Sequence, residues 1–123
     1  MNYLAVFIGG GLGSICRYGI ARLLAPWQFT FPYATLIANI LSCIILGFMV
    51  AFVAKNTMND AWRLLIMVGF CGGFSTFSTF TNETYRLFET GNTVYALSNI
   101  LFSLLLCVIS IYLGLLLGSQ FSK

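Results

Sequence analysis

Histidine is absent from this 123-residue chain, and Asp60, Glu83 and Glu89 are its only three carboxylates. Those two shortages remove most acid, base and metal-ligand chemistry, so an enzyme is not expected. Charged residues of both signs make up 7% of the sequence, against roughly 25% in a soluble domain. So few charges cannot cover the surface of a soluble protein in which 59% of residues are hydrophobic. The composition therefore reads as that of a membrane protein. No Cys-x-x-Cys pair occurs. Cys16, Cys43, Cys71 and Cys107 lie far apart, each inside an apolar stretch, which points to small buried hydrophobes rather than disulfides or zinc. The basic residues are scattered singly, without the patch or run that nucleic acid requires. Met1-Asn2-Tyr3 offers no basic n-region, so the first apolar segment is read as retained rather than as a signal peptide.

What is present is apolar sequence in lengths suited to a bilayer, about 20 residues per crossing. Turn signals and charges divide it into four spans, at about 3–24, 33–54, 61–88 and 93–119 of one domain covering 1–123. Pro26-Trp27-Gln28 and Pro32 mark the first connection, Lys55 to Asp60 the second, and Glu89-Thr90-Gly91-Asn92 the third. Asn59 or Asp60 is the expected N-cap of the third span. The apolar runs lack the alternation of a transmembrane barrel, so the expected fold class is all-α with four transmembrane helices. An even number of crossings puts both termini on one face. That face carries Lys55, Arg63 and Lys123, and the other carries Arg22 and Arg86. So small a bias allows insertion in both orientations and favours an antiparallel dimer with its axis in the membrane plane.

The third span holds the most unusual run, Gly72-Gly73-Phe74-Ser75-Thr76-Phe77-Ser78-Thr79-Phe80-Thr81-Asn82-Glu83. Adjacent glycines each cost a helix about 1 kcal/mol relative to Ala, so a break is expected near Gly72–Ser75. Broken helices inside a membrane expose backbone dipoles suited to ions; the alternative is that Gly and Ser let helices pack closely. Phe74, Phe77 and Phe80 recur every third residue as an aromatic stripe beside the polar Ser75, Ser78, Thr79, Asn82 and Glu83. Ring edges are positive and can replace part of an anion's hydration, whereas a lipid-facing or packing role is the alternative. Asn39 is the sole amide of the second span, and Asn99 and Ser103 are four apart on one face of the fourth. Each either donates to a desolvated ion or joins helices. Arg17, the one charge well inside the first span, either faces a cavity or snorkels to the interface. The pairs Gly9 with Gly13 and Gly10 with Ser14 carry close-packing spacing.

Across these residues the chain closely resembles the Fluc (CrcB) family of bacterial fluoride channels. The resemblance runs through Gly10 to Gly13 with Arg17-Tyr18, Pro32 to Asn39, Gly72 to Glu83 and the small-residue fourth helix. It implies a multi-pass protein of the bacterial cytoplasmic membrane, an antiparallel dual-topology homodimer with two pores. Through these, fluoride would leave the cytoplasm passively and confer fluoride resistance. By similarity, Phe77 and Phe80 form an aromatic box and Asn39 donates in the pore. Ser78, Thr79, Glu83, Asn99 and Ser103 belong to the polar track, and Arg17 is the vestibule arginine. The carbonyls of Gly72 and Ser75 would surround a structural Na+ at the dimer axis. The family often has Tyr at the Asn99 position and Gly at the positions of Ser42 and Ala34. The competing function is a small proton-coupled multidrug exporter, also a four-helix dual-topology dimer, which needs a titratable carboxylate in the membrane interior. A scaffold without transport is a third.

Overall fold

The computed structural model describes residues 1–122; Lys123, counted above on the termini's face, lies outside the described residues. Four helices long and apolar enough to cross a membrane span Asn2–Trp27, Tyr33–Ala54, Asp60–Glu89 and Thr93–Phe121. The shortest has 22 residues, about 33 Å at 1.5 Å per residue, against a hydrocarbon core of about 30 Å.

The first crossing is α1 (Asn2–Leu24), extended by a single 3-10 turn over Ala25–Trp27 that ends with Gln28 in the left-handed region. The second is α2 (Tyr33–Ala54). The third is composite. It starts as α3 (Asp60–Arg63), capped by the Asn59 side chain accepting from the Ala61 N–H at 2.8 Å, and widens into a π-helix over Leu64–Phe70. It then resumes as α4 (Cys71–Phe74), and after Ser75 and Thr76 continues as α5 (Phe77–Glu89). Asn92 and Gly91 donate back to the Leu87 and Phe88 carbonyls at 2.8 and 3.2 Å, with Gly91 at φ 82°. This is a Schellman stop, which needs the left-handed conformation Gly adopts freely. The fourth crossing is α6 (Thr93–Phe121).

With lipid on the outside, apolar burial cannot choose partners for these helices, and small residues do so instead. On α1, a Cβ at Gly9 would strike the Leu65 carbonyl of the π-helix, and one at Gly13 the Phe70 carbonyl. From the other side, a Cβ at Gly73 would strike the Gly10 carbonyl. The glycine pairs of the first span are thus packing surface, against the π-helix and α4. The α2–α6 pair meets in the same way: Gly47 lies against the Ile111 carbonyl and Gly114 against the Ile44 carbonyl. Gly47→Ala and Gly114→Ala are therefore expected to destabilise the protein by about 1–3 kcal/mol, despite the gain in helix propensity. Gly19→Ala, with nothing within 4 Å of its Cβ position, should not. Thermal unfolding in detergent reads the difference.

Candidate functional site

The third crossing loses its helical bonding at Ser75 and Thr76, both extended, with ψ of 156° and 124°. A break here would leave backbone groups without partners at membrane depth, where each costs several kcal/mol. Asn39 of α2 supplies them. Its Oδ1 accepts from the Thr76 N–H at 2.8 Å, and its Nδ2 donates to the Thr76 carbonyl at 3.3 Å. Ser42, buried one turn along α2, donates to the Cys71 carbonyl at 3.0 Å, and Ser75 Oγ donates to the same carbonyl at 2.7 Å. The serine at position 42 thus adds an α2–α4 bond immediately before the break.

The carbonyls of Gly72 to Ser75 lose their helical donors as a result, and for two of them the donor is redirected to a side chain. In a continuous helix the Gly72 carbonyl would accept from the Thr76 N–H, which goes instead to Asn39. The Ser75 carbonyl would accept from the Thr79 N–H, which goes instead to the Thr76 hydroxyl at 3.3 Å, the N-cap of α5. The hydroxyls of Thr79 and Ser78 lie 3.1 and 3.4 Å from that of Thr76, so a polar cluster gathers at the first turn of α5.

From this point α5 is strongly two-sided. Thr76, Thr79, Glu83 and Arg86 recur at three- and four-residue intervals on one face. That face meets α1 and α2 across a crevice of about 230 Å³ lined by Ser14, Arg17, Thr35, Thr79 and Glu83 among others. Thr35 donates to Glu83 Oε1 at 2.8 Å, while Glu83 Oε2 is buried without a partner. Arg17 faces the crevice rather than the membrane surface alone, and it forms no ion pair with Glu83. The one ion pair among the described residues is Arg63 with Asp60 at 4.0 Å.

The aromatic face looks elsewhere. Phe77 and Phe80 stand 5.7 Å apart with rings inclined by 37°. They line an apolar groove of about 480 Å³ shared with Ile100 and Leu104 of α6. Phe77 is 75% exposed. Within one chain, then, the aromatic and polar stripes are neighbours on α5 but open into different spaces. Asn99, 1% exposed, donates to Thr84 Oγ1 at 2.9 Å and accepts from Ser103 at 3.1 Å. The structure brings Asn99 and Ser103 together as a buried link between α6 and α5; neither lines the Arg17–Glu83 crevice.

Thr35, Thr76 and Ser14 are site residues that the sequence reading missed. Thr35 stands four before Asn39 and Ser14 three before Arg17, so helical spacing from the chosen residues would have found both. The Thr76 pairing crosses 37 positions and has no such signal.

Four membrane-length helices, with a backbone break braced from a neighbouring helix and a polar crevice entering from one face, define a small multi-pass membrane protein built around an intramembrane polar path. The chain belongs to the CrcB family: the family model described as CrcB-like protein, Camphor Resistance (CrcB), matches residues 4–115. Its relatives include proteins named fluoride-specific ion channel FluC. The one from Coxiella burnetii (strain CbuK_Q154) is 38% identical over 123 residues, covering 98% of this chain and 99% of the relative. The one from Serratia proteamaculans (strain 568) is 42% identical over 104 residues, covering 84% and 82%. The one from Elusimicrobium minutum (strain Pei191) is 40% identical over 116 residues, covering 92% and 90%.

Proposed function

We propose that this protein is a passive, selective fluoride channel of the bacterial cytoplasmic membrane, acting as an antiparallel homodimer with two pores. The observation that carries the reading is the two-faced α5, which begins at the braced break and sets hydroxyls and Phe rings side by side at membrane depth. The relatives named as fluoride-specific channels supply the ion.

Fluoride is small and strongly hydrated, so a pore must replace its water with dipoles yet hold it weakly enough to release it. Arg17 attracts the anion into the crevice. Thr35 and Thr79 offer hydroxyls along one wall, and the N-terminal end of α5 adds the positive end of a helix dipole. Asn39 uses one N–H on Thr76 and keeps the other for the ion. The edges of Phe80 and Phe77 then take over. A second copy, inverted, covers the exposed Phe77 and its groove, which lipid would otherwise fill. It brings the ring pair into the wall of a pore formed by both chains.

A structural Na+ fits the chemistry of the break. The Gly72 and Ser75 carbonyls, both deprived of helical donors, would hold it as hard oxygen ligands, and two copies would double their number. Bound there, the cation supplies fixed positive charge at the centre of the dimer. Among the described residues there is no cluster of His, Cys, Asp or Glu that would hold a metal ion in its place.

The test is efflux from proteoliposomes loaded with fluoride, chloride or drug cations, started by a potassium ionophore. Fluoride should leave rapidly, without a proton gradient, and far faster than chloride. Chloride efflux at the same rate, or a requirement for a proton gradient such as a multidrug exporter would show, overturns the reading.

A further inference from the structure

We propose that Arg86 is a second cation on the anion's route, bracketing Glu83 from the side opposite Arg17 and forming the outermost anion site of the path. The inference rests on the anion-conduction reading above and adds a residue to it.

Beside the Arg17 crevice lies a second one, of about 320 Å³, lined by Thr30, Glu83, Arg86, Thr90 and Asn92 among others. Glu83 lines both crevices, so the two meet at this residue. Its Oε1 is held by Thr35 and its Oε2 is buried without a partner. No arginine pairs with it among the described residues. An anion passing Glu83 meets a side chain whose lone pairs, and whose charge when ionised, oppose it, so positive charge on each approach would speed its passage. Arg17 supplies that charge on the inner side. On the outer side Arg86 is the only charged residue other than Glu83 among those lining the crevice.

Arg86 is placed for this by helix geometry. It stands three residues after Glu83 and seven after Thr79 on the same face of α5. The Schellman turn after α5 brings Thr90 and Asn92 to the same opening, with the Asn92 amide bonded to the Thr90 hydroxyl at 3.1 Å. The outer crevice has room for several waters, each about 30 Å³ in the liquid. A small anion can therefore arrive hydrated at Arg86 and shed water further in, where Thr35 and Thr79 begin.

The experiment compares initial fluoride efflux of the wild type, Arg86→Gln, Arg86→Lys and Arg22→Gln in liposomes of uncharged lipid. Each is measured at about 10 mM and about 1 M ionic strength, where the screening length falls from about 30 to about 3 Å. Arg86→Gln should lower efflux roughly fivefold at low salt, and the deficit should nearly vanish at high salt. Arg86→Lys should keep the wild-type rate and salt dependence. Arg22→Gln removes the same charge from the same membrane face, but Arg22 is not among the residues lining either crevice; it should change efflux by less than about half. Wild-type efflux from Arg86→Gln at low salt overturns the proposal. So does a deficit that persists at high salt, or an equal deficit in Arg22→Gln. No fluoride efflux from the wild type overturns the conduction reading and this proposal with it, whereas the other three outcomes leave conduction standing.

Discussion

Replacing Asn39 by Leu, which keeps the same branching at Cγ, is expected to reduce fluoride efflux by on the order of 10²-fold or more, the larger part of the loss arising away from the ion. Asn39 satisfies both backbone groups of Thr76, through bonds of 2.8 and 3.3 Å. Leucine satisfies neither, and a buried unsatisfied polar group costs about 1–3 kcal/mol. The chain has an escape. If Thr76 returns its N–H to the Gly72 carbonyl, the third crossing closes toward a continuous helix and the orphaned groups pair with each other. That closure turns α5 about its axis and carries Thr79, Glu83 and both Phe rings out of register with α1, α2 and α6. Two lost bonds at that cost shift the balance between broken and closed forms by about one and a half to four powers of ten, at about 1.4 kcal/mol for each. Two measurements are needed: efflux per reconstituted protein, and hydrogen exchange at the Thr76 amide, which should change together. A variant with wild-type efflux would show that Asn39 neither braces the break nor serves the ion.

The parts of this architecture that hydropathy controls were legible in the sequence. The helix Tyr33–Ala54 lies where an uninterrupted apolar run stands between Pro32 and Lys55. The Asn59 cap and the Gly9 and Gly13 packing surface were legible because each rests on spacing within a few residues. The π-helix over Leu64–Phe70 was not: its residues are ordinary apolar ones, and the glycines it packs against, Gly9 and Gly13, lie on another helix. The same limit applied to the site. Gly72-Gly73 marked a weak point in the helix, but the residue bracing the break, Asn39, lies on another helix. Asn99 and Ser103 were recognised as one face of a helix, while Thr84, the residue that engages them, could be named only once α5 and α6 were docked. Local pattern identified which residues were unusual, and three-dimensional packing decided what each one touches.

Phe80→Ile is expected to bring fluoride efflux to the background of empty liposomes while leaving the fold intact. Phe80 is the ring to test because of its position on α5. It follows Thr79 and precedes Glu83 by three residues, so it stands at the boundary between the polar face and the groove that holds Phe77. On the proposed route an anion leaving the hydroxyls would meet its edge first, and the second ring stands 5.7 Å from it. Isoleucine fills similar space, and apolar swaps of similar volume usually cost less than about 1.5 kcal/mol, so unfolding is not the expected cause of the loss. What it removes is the ring's quadrupole: an aliphatic group offers a desolvated anion no positive edge, and the barrier at that point becomes that of bare hydrocarbon. Phe80→Tyr keeps the ring and should retain measurable efflux, which separates the electrostatics of the edge from the shape of the side chain. An unchanged elution profile in detergent together with lost efflux for Ile would place the effect in the pore. Full efflux from a folded Phe80→Ile protein would mean that the ion never touches the rings, and the hydroxyl face of α5 would then have to carry it alone.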